Sequence, residues 1–322
     1  METSSQTDKQ LYTDIFNSID FEKIIDHPNI LIAANFWEDE RYRAAKVCYR
    51  FMRYIDDLVD NYKSEHITID AGEKTRLEAE VSRWIKSVMT ATDFVQASDE
   101  MRELVETVQK FHIPVWPLEA FAKSMIYDIY NDGFASLQAF KDYAAGASVA
   151  PAAIFVHLCG LKKVNGEYQA PDFDVRNAAE SCAIFSYLVH IIRDFVKDHT
   201  HNLNYFPNDL MVKNNLDRQN LLQMAQGAPI TYGFRCMIAE LYNEADRYRV
   251  KTLEIIREIK PLVEPRNELS LEIIFALYTM VFDRIDIKHG TFTTAELNPT
   301  AAEIKQQVWD VIKKFVASTR LP

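Results

Sequence analysis

Two short segments of this 322-residue chain place aspartates at a spacing that could do chemistry. The first segment reads RYIDDLVD and contains Asp56 and Asp60, and the second reads HIIRDFVKD and contains Asp194 and Asp198. Residues four apart share one face of a helix, so the members of each pair are predicted to project side by side. Such pairs also arise by chance on solvated helix faces, and the spacing alone does not define a site.

The apolar sequence around both pairs distinguishes them from a solvated face. The stretch CAIFSYLVHII precedes Asp194 and predicts a helix that is buried on most sides. Buried carboxylates that repel one another must be neutralised, protonated or bound to cations. Paired aspartates suit Mg²⁺, which takes oxygen ligands and shares its coordination with water and substrate phosphates. Two such faces opposed across a cavity would hold several ions and, through them, a diphosphate.

The overall charge excludes one class of partner. The chain has 36 Lys and Arg residues against 47 Asp and Glu residues, a formal net charge of −11, so we expect no nucleic acid partner. The four cysteines lie far apart in apolar sequence, which favours free thiols in a reducing compartment. The polar N-terminus lacks the apolar stretch of a secretory signal. We therefore expect a cytoplasmic protein, with a peripheral membrane association left open.

Helical periodicity dominates the elements that must position the two segments. Only 8 glycines occur, so turns are few and elements long. Apolar residues recur at helical spacing, and no strand is expected. We predict one all-α domain over residues 1–322, with 1–28 as an N-terminal extension, and we expect Pro151 to kink or split a helix. The predicted helices cover residues 38–62, 73–91, 98–110, 116–132, 136–160, 172–199, 230–258, 267–288 and 300–317.

The two aspartate segments resemble those of the squalene and phytoene synthase family, the enzymes that condense prenyl diphosphates head to head. The family pattern YxxxRxxDxxxD is matched here by Tyr49, Arg53, Asp56 and Asp60. The family pattern NIxRDxxxD is similar to HIIRDFVKD, and Tyr205 stands in the aromatic-proline stop that follows it. Between the segments, an MxxD motif ends at Asp128. The resemblance runs from about residue 29 to residue 288.

The resemblance implies a helical bundle of the class I isoprenoid synthase type with a central cavity. The cofactor would be Mg²⁺, with Mn²⁺ as an alternative. The metal ligands would be Asp56, Asp60, Asp194 and Asp198, and Tyr49 would join them as a catalytic residue. The substrate-binding residues would be Arg53, Arg193, Tyr205, His190 and Asp128.

The reaction that the resemblance implies is the condensation of two prenyl diphosphates through a cyclopropylcarbinyl diphosphate, with farnesyl diphosphate slightly favoured over geranylgeranyl diphosphate. The product (squalene, dehydrosqualene or the carotenoid precursor phytoene), the use of NADPH and the oligomeric state stay open. Release of an apolar product would suit a peripheral membrane contact. Two alternatives are kept. One is a class I terpene cyclase, because DDLVD also satisfies DDxxD, and the other is a non-catalytic family member that serves assembly or binding.

Departures from the family pattern concentrate near the second segment. His190 stands where the family has Asn, Tyr187 where it has Gln, and Lys197 where it has Glu. The residues 201–203 replace a basic RGR. A neutral imidazole is a poor Mg²⁺ ligand but can hydrogen-bond a phosphate, so we expect a change at one of the family's metal positions.

Overall fold

The computed structural model describes residues 2–24, 29–66, 68–89 and 99–318. Helices make up most of this part of the chain, which confirms the predicted all-α class. The helices of the first half are α1 (Glu2–Ser18), α2 (Phe21–Ile24), α3 (Asn29–Ala34), α4 (Asp39–Glu65), α5 (Ala71–Met89), α6 (Asp99–Lys110), α7 (Trp116–Tyr130), α8 (Leu137–Ala144) and α9 (Ala150–Gly160). Those of the second half are α10 (Val175–Arg193), α11 (Phe195–Thr200), α12 (Asn208–Lys213), α13 (Arg218–Ala225), α14 (Tyr232–Ile259), α15 (Pro265–Phe282), α16 (Thr294–Leu297) and α17 (Ala301–Ser318), with a 3₁₀ turn at Lys260–Leu262.

The long helices agree with the predicted ones to within a few residues at most ends. Residues 90, 91 and 98 of the predicted helices lie outside the described residues. Two predicted helices are divided in the structure, and the one predicted over 267–288 ends earlier, at Phe282. The 17-residue helix α1 has no predicted counterpart, because residues 1–28 were predicted only as an extension. The short helices α2, α3, α12, α13 and α16 were not predicted either, because one or two turns give too few residues for a periodic pattern.

The division of the predicted helix 136–160 has an identifiable cause. Proline lacks an N–H, and its ring clashes with the carbonyl four residues earlier. A π-helical turn over Ala145–Val149 separates α8 from α9, and Pro151 occupies the first turn of α9, as predicted. In the same turn Gly146 approaches α7 so closely that a Cβ would lie 2.1 Å from Ser124 Oγ and 2.3 Å from the Ala120 carbonyl oxygen. Only glycine fits there.

A small antiparallel hairpin contradicts the expectation that the chain has no strand. Strand β1 (Lys162–Val164) pairs with β2 (Glu167–Gln169). The turn between them is Asn165-Gly166, whose φ angles are 52° and 88°. Asn-Gly with both φ values positive is the preferred two-residue hairpin turn. This dipeptide between two short runs was the signal that could have predicted the hairpin.

A buried polar corner fixes the start of α4 against α9 and α15. Arg41 is fully buried, donates to the Cys159 carbonyl at 3.5 Å, and lies 3.3 Å from Glu38 and 3.7 Å from Glu264. Asn267 donates to the same carbonyl at 2.8 Å. The carbonyls at the C-terminal end of a helix lack hydrogen-bond partners within the helix, and Arg41 and Asn267 provide such a partner to the end of α9. The corner thereby joins the start of α4 to the end of α9 and the start of α15.

The predicted N-terminal extension is partly described. Residue 1 and residues 25–28 lie outside the described residues, and the rest forms α1 and α2. The rings of Tyr12 and Phe16 pack against Phe315 and Trp309 of α17, with centroids 6.1 Å and 5.0 Å apart. These contacts bury the apolar face of α1 against the C-terminal helix.

The buried apolar side chains form two clusters, and residues of both line a central cavity. Within the described ranges, one stretch, Leu137–Gly160, is long and apolar enough to cross a membrane. However, 72% of its most apolar window is buried inside the protein. Its α9 portion packs between α7 and α10, so the apolar character of this stretch is accounted for by the core.

Candidate active site

A cavity of about 1480 Å³ lies among α4, α9, α10, α14 and α15. At its polar end, the second half of α4 faces the junction of α10 and α11. Its apolar end is lined by side chains of α3, α9, α14 and α15. The apolar lining includes Leu31, Phe155, Ile256, Ile259, Leu271 and Ile274. The charged lining consists of Arg50, Arg53, Asp56, Asp57, Asp60, Arg193, Asp194, Lys197 and Asp198.

The first aspartate segment lies on one uninterrupted helix. Arg53 reaches along α4 and bonds to two carboxylates, with Nη1 2.7 Å from Asp56 Oδ2 and Nη2 2.5 Å from Asp57 Oδ1. Burial and the charge of Asp60 nevertheless raise the pKa of Asp56 to about 8. Burial also raises the pKa of Asp60, although Lys63 and Arg53 oppose the rise. This face therefore resists full ionisation until a cation binds.

The second segment spans a break that the sequence did not predict. Helix α10 ends at Arg193, Asp194 has φ −89° and ψ 7°, and α11 begins at Phe195. The Asp198 amide still donates to the Asp194 carbonyl at 2.8 Å, so the two side chains stay about one turn apart. The prediction of one continuous helix over 172–199 is therefore wrong at this residue. The break allows Arg193 to fold back onto its own neighbour.

The contact between Arg193 and Asp194 is bidentate. Nε donates to Oδ1 at 2.8 Å and Nη2 to Oδ2 at 2.6 Å. Burial opposes ionisation of Asp194, but the hydrogen bonds and charge of Arg193 outweigh burial and lower its pKa. Asp198 lacks such a contact, and burial followed by the charge of Asp194 raises its pKa to about 8. One aspartate of this segment is thus held ionised and the other is not.

The two segments face one another across the polar end. Asp60 of α4 is among the charges that raise the pKa of Asp198 on α11. Tyr205 donates a long hydrogen bond of 3.5 Å to Asp60 Oδ1 from the second side. Its position is fixed because the next residues pair with the loop after α7, where the Asn208 amide donates to the Phe134 carbonyl at 2.8 Å. The structure therefore brings both pairs and Tyr205 to one end of one cavity.

The other predicted site residues divide into two groups. Tyr49 and His190 line the cavity. His190 is neutral, since burial lowers its pKa to about 3, and its buried Nε2 has no hydrogen-bond partner. Asp128 is absent from the cavity wall: it accepts a hydrogen bond from Tyr143 and lies 3.9 Å from Lys63 Nζ. The structure therefore places Asp128 behind the site, where its charge acts on Asp56.

Comparison with known proteins decides the family. A family model described as squalene/phytoene synthase matches residues 28–300. The chain belongs to the squalene/phytoene synthase family. The predicted family is therefore confirmed over most of the sequence.

Individual relatives of this squalene/phytoene synthase family member are distant. The chain is 23% identical over 184 residues to a chloroplastic phytoene synthase 2 of Oryza sativa subsp. japonica, covering 57% of this chain and 43% of that protein. It is 24% identical over 188 residues to a chloroplastic phytoene synthase 2 of Solanum lycopersicum, covering 56% of this chain and 55% of that one. The chain thus spans about half the length of these curated relatives.

A solved structure extends the likeness to the whole fold. A crystal structure of a dehydrosqualene synthase in complex with ligand aligns with a TM-score of 0.67 over 96% of this chain and 99% of that one. Its sequence is only 15% identical, so the likeness concerns the fold. The fold is therefore shared despite divergent sequences.

The donor set at the polar end fits a divalent cation of the Mg²⁺ type. All four predicted ligands of this family member offer carboxylate oxygens, which Mg²⁺ prefers and Mn²⁺ accepts. Among the described residues, no group of three or more His, Cys, Asp or Glu side chains is close enough to hold a metal by itself. Mg²⁺ usually takes only one or two carboxylates and completes its coordination with water and substrate phosphates. The opposed pairs match that mode of binding.

Sequence reasoning missed cavity residues that carry no motif. Tyr278 of α15 lines the cavity, with its ring centroid 5.4 Å from that of His190. Lys197 and His201 lie at the polar end and had been noted only as departures from the family pattern. The available signal was sequence spacing. Lys197 and His201 follow Arg193 by four and eight residues, and on a helix such spacing places side chains on the same face.

Proposed function

We propose that the protein is a prenyltransferase that condenses two prenyl diphosphates head to head, with Mg²⁺ as cofactor. The reaction would pass through a cyclopropylcarbinyl diphosphate, and farnesyl diphosphate would be slightly favoured over geranylgeranyl diphosphate. The observation that carries the proposal is the pair of opposed aspartate segments at the polar end of a single large, otherwise apolar cavity. Membership of the squalene/phytoene synthase family supports it.

The size of the cavity supports a reaction between two substrates. A pocket for one drug-sized ligand usually measures about 300–1,000 Å³. The cavity of about 1480 Å³ exceeds that range. Its apolar walls suit long hydrocarbon chains and exclude water from a reactive carbocation. Both diphosphates would then lie at the charged end with their chains directed into the apolar end.

The side chains at the polar end have defined tasks in this proposal. Arg53 and Arg193 would turn their guanidinium groups toward diphosphate oxygens, since a planar fork binds such oxygens in pairs. The aspartates of both segments would hold Mg²⁺, which when bound takes up negative charge on the leaving oxygens. Tyr49 would present an aromatic face to positive charge that develops on the substrate.

The names of the relatives divide between two products. The sequence relatives are phytoene synthases, whereas the aligned crystal structure is of a dehydrosqualene synthase. The substrate is therefore assigned by assay with each prenyl diphosphate.

The test is an incubation of purified protein with farnesyl or geranylgeranyl diphosphate and Mg²⁺, with and without NADPH, followed by mass analysis of the apolar extract. We expect a product that joins two substrate chains and the release of diphosphate. A cyclic product from one substrate would instead indicate a terpene cyclase. Absence of diphosphate release from both substrates would contradict the proposal and favour a non-catalytic member.

A further inference from the structure

The basic side chains around the polar end of the cavity differ in whether they already form ion pairs with carboxylates. Arg53 bonds to Asp56 and Asp57, and Arg193 forms its bidentate contact with Asp194. Each of these guanidinium groups must share its hydrogen bonds with a carboxylate when a diphosphate arrives. Their positive charge is largely balanced before the substrate binds.

Lys197 is the exception among the basic side chains at this end. Its side chain lies at the mouth of the cavity and is exposed. In the described part of the chain, no carboxylate lies within ion-pair distance of its ammonium group. Its charge nevertheless acts on Asp60 from the first segment and Asp198 from the second. The ammonium group therefore stands near both aspartate faces without being bound to either.

A flexible lysine in this position can reach an incoming anion. Its ammonium group offers three donors on a four-carbon stem, and lysine is a common point-charge ligand of phosphates. The carbonyl of Lys197 accepts a 2.7 Å hydrogen bond from His201, which holds the backbone of α11 in place beneath the side chain. The backbone is thus fixed while the ammonium group stays free to turn inward.

We propose that Lys197 binds the substrate diphosphate directly, so that the protein supplies part of the countercharge and retains diphosphate in the absence of divalent metal. This inference rests on the proposed function, since it concerns the same site. Lys197 then acts as a substrate-binding residue, with Mg²⁺ adding to its charge when present.

The test measures binding of inorganic diphosphate by calorimetry, once with EDTA and once with Mg²⁺. We expect the wild-type protein to bind diphosphate in EDTA and more tightly in Mg²⁺. Lys197→Gln should weaken binding in EDTA by about 10-fold or more, as expected for loss of a hydrogen bond to a charged group. Lys197→Arg should largely retain it. Lys123→Gln, on the exposed face of α7, is the matched control and should bind like the wild type.

A charge reversal sharpens the result. Lys197→Glu should abolish binding in EDTA but leave binding in Mg²⁺ measurable, because the added carboxylate can take a metal ligand position. Wild-type binding only in Mg²⁺ would overturn the role of Lys197 and leave the proposed function standing. Equal affinities of the wild type and Lys197→Gln in EDTA would also overturn it. Failure to bind diphosphate in either condition would overturn the proposed function as well.

Discussion

The two aspartate segments look alike in sequence and differ in structure. The first lies on the uninterrupted α4, and its arginine divides its bonds between Asp56 and Asp57. The second crosses the break between α10 and α11, where Arg193 binds the single carboxylate of Asp194 through two bonds. The pKa of Asp56 is raised to about 8, whereas that of Asp194 is lowered.

The difference shows that helical spacing sets which side chains are neighbours but not their charge. Burial raises the pKa of a carboxyl group, and only a well-directed cation reverses the effect. In the first segment, the repulsion from Asp60 and burial outweigh a shared arginine. In the second, the break directs the whole guanidinium group at one aspartate. The first face is therefore the costlier one to keep ionised without metal.

The largest expected effect is on turnover. Asp56→Ala and Asp198→Ala each remove a predicted metal ligand from one of the opposed segments, so each should lower the rate of diphosphate release by more than about 100-fold, the upper end for losing an outer-shell partner of a metal. Asp310→Ala on α17, outside the cavity, is the control and should retain the wild-type rate. Circular dichroism should show unchanged helicity. A variant of either segment with normal turnover would exclude that segment from the site.

The next largest effect is on the free energy of unfolding, and it differs between the two segments. Asp194→Asn should lower the free energy of unfolding by about 1–3 kcal/mol, because it leaves the half-buried Arg193 without its charged partner. Urea unfolding of the metal-free protein measures this change, with Asp132→Asn, at an exposed carboxyl group outside the cavity, as the comparison. Stability equal to that of the wild type would mean that the bidentate contact contributes nothing in solution.

In the first segment, we expect the corresponding substitution of Asp56 by Asn to raise the free energy of unfolding rather than lower it. The folded-state pKa of Asp56 is raised from 3.8 to about 8, so its contribution to stability is full below about pH 4 and is lost as the pH rises toward 8. Asn cannot ionise, and Asp56→Asn should therefore stabilise the metal-free protein at pH 8 by about 1 kcal/mol or more. The advantage should shrink at pH 5. Thermal unfolding at the two pH values tests this, and a destabilised variant at pH 8 would contradict it.

The smallest effect concerns the bridge between the segments. Tyr205→Phe removes one long hydrogen bond to Asp60 and keeps the ring, whose centroid is 6.4 Å from that of Phe134. We expect a loss of about 0.5–1 kcal/mol in the apparent binding of substrate, seen as a modest rise in KM. A large fall in kcat with unchanged KM would instead assign the hydroxyl a part in the chemical step.

The sequence predicted the long helices because their apolar residues repeat over several turns. It did not predict the break at Asp194, since the motif continues at helical spacing on both sides and Asp194 leaves the helical conformation without a proline or glycine to mark the place. It also missed the β1–β2 hairpin, although Asn165-Gly166 was a usable signal. Short elements and local contacts carry too little periodic information to be read from one chain.

The candidate site was predictable to the extent that it rests on motifs. All four aspartates, both arginines, Tyr49, His190 and Tyr205 line the same cavity. Asp128 matches a motif but lies behind the wall, because Tyr143 and Lys63 hold it there. Whether each arginine is paired with a carboxylate, and whether Lys197 is left unpaired, depends on distances between side chains. Sequence spacing does not give these distances. The roles of these residues in binding and catalysis stay predictions.

The most direct measurement is a crystal structure with Mn²⁺ and a thiolo analogue of farnesyl diphosphate, in which anomalous scattering locates the metal. We expect Mn²⁺ between the analogue's diphosphate and aspartates of both segments, with the prenyl chain in the apolar end of the cavity. Metal bound by one segment only, or an analogue whose diphosphate lies away from both, would contradict the conclusion that the two segments form a single site.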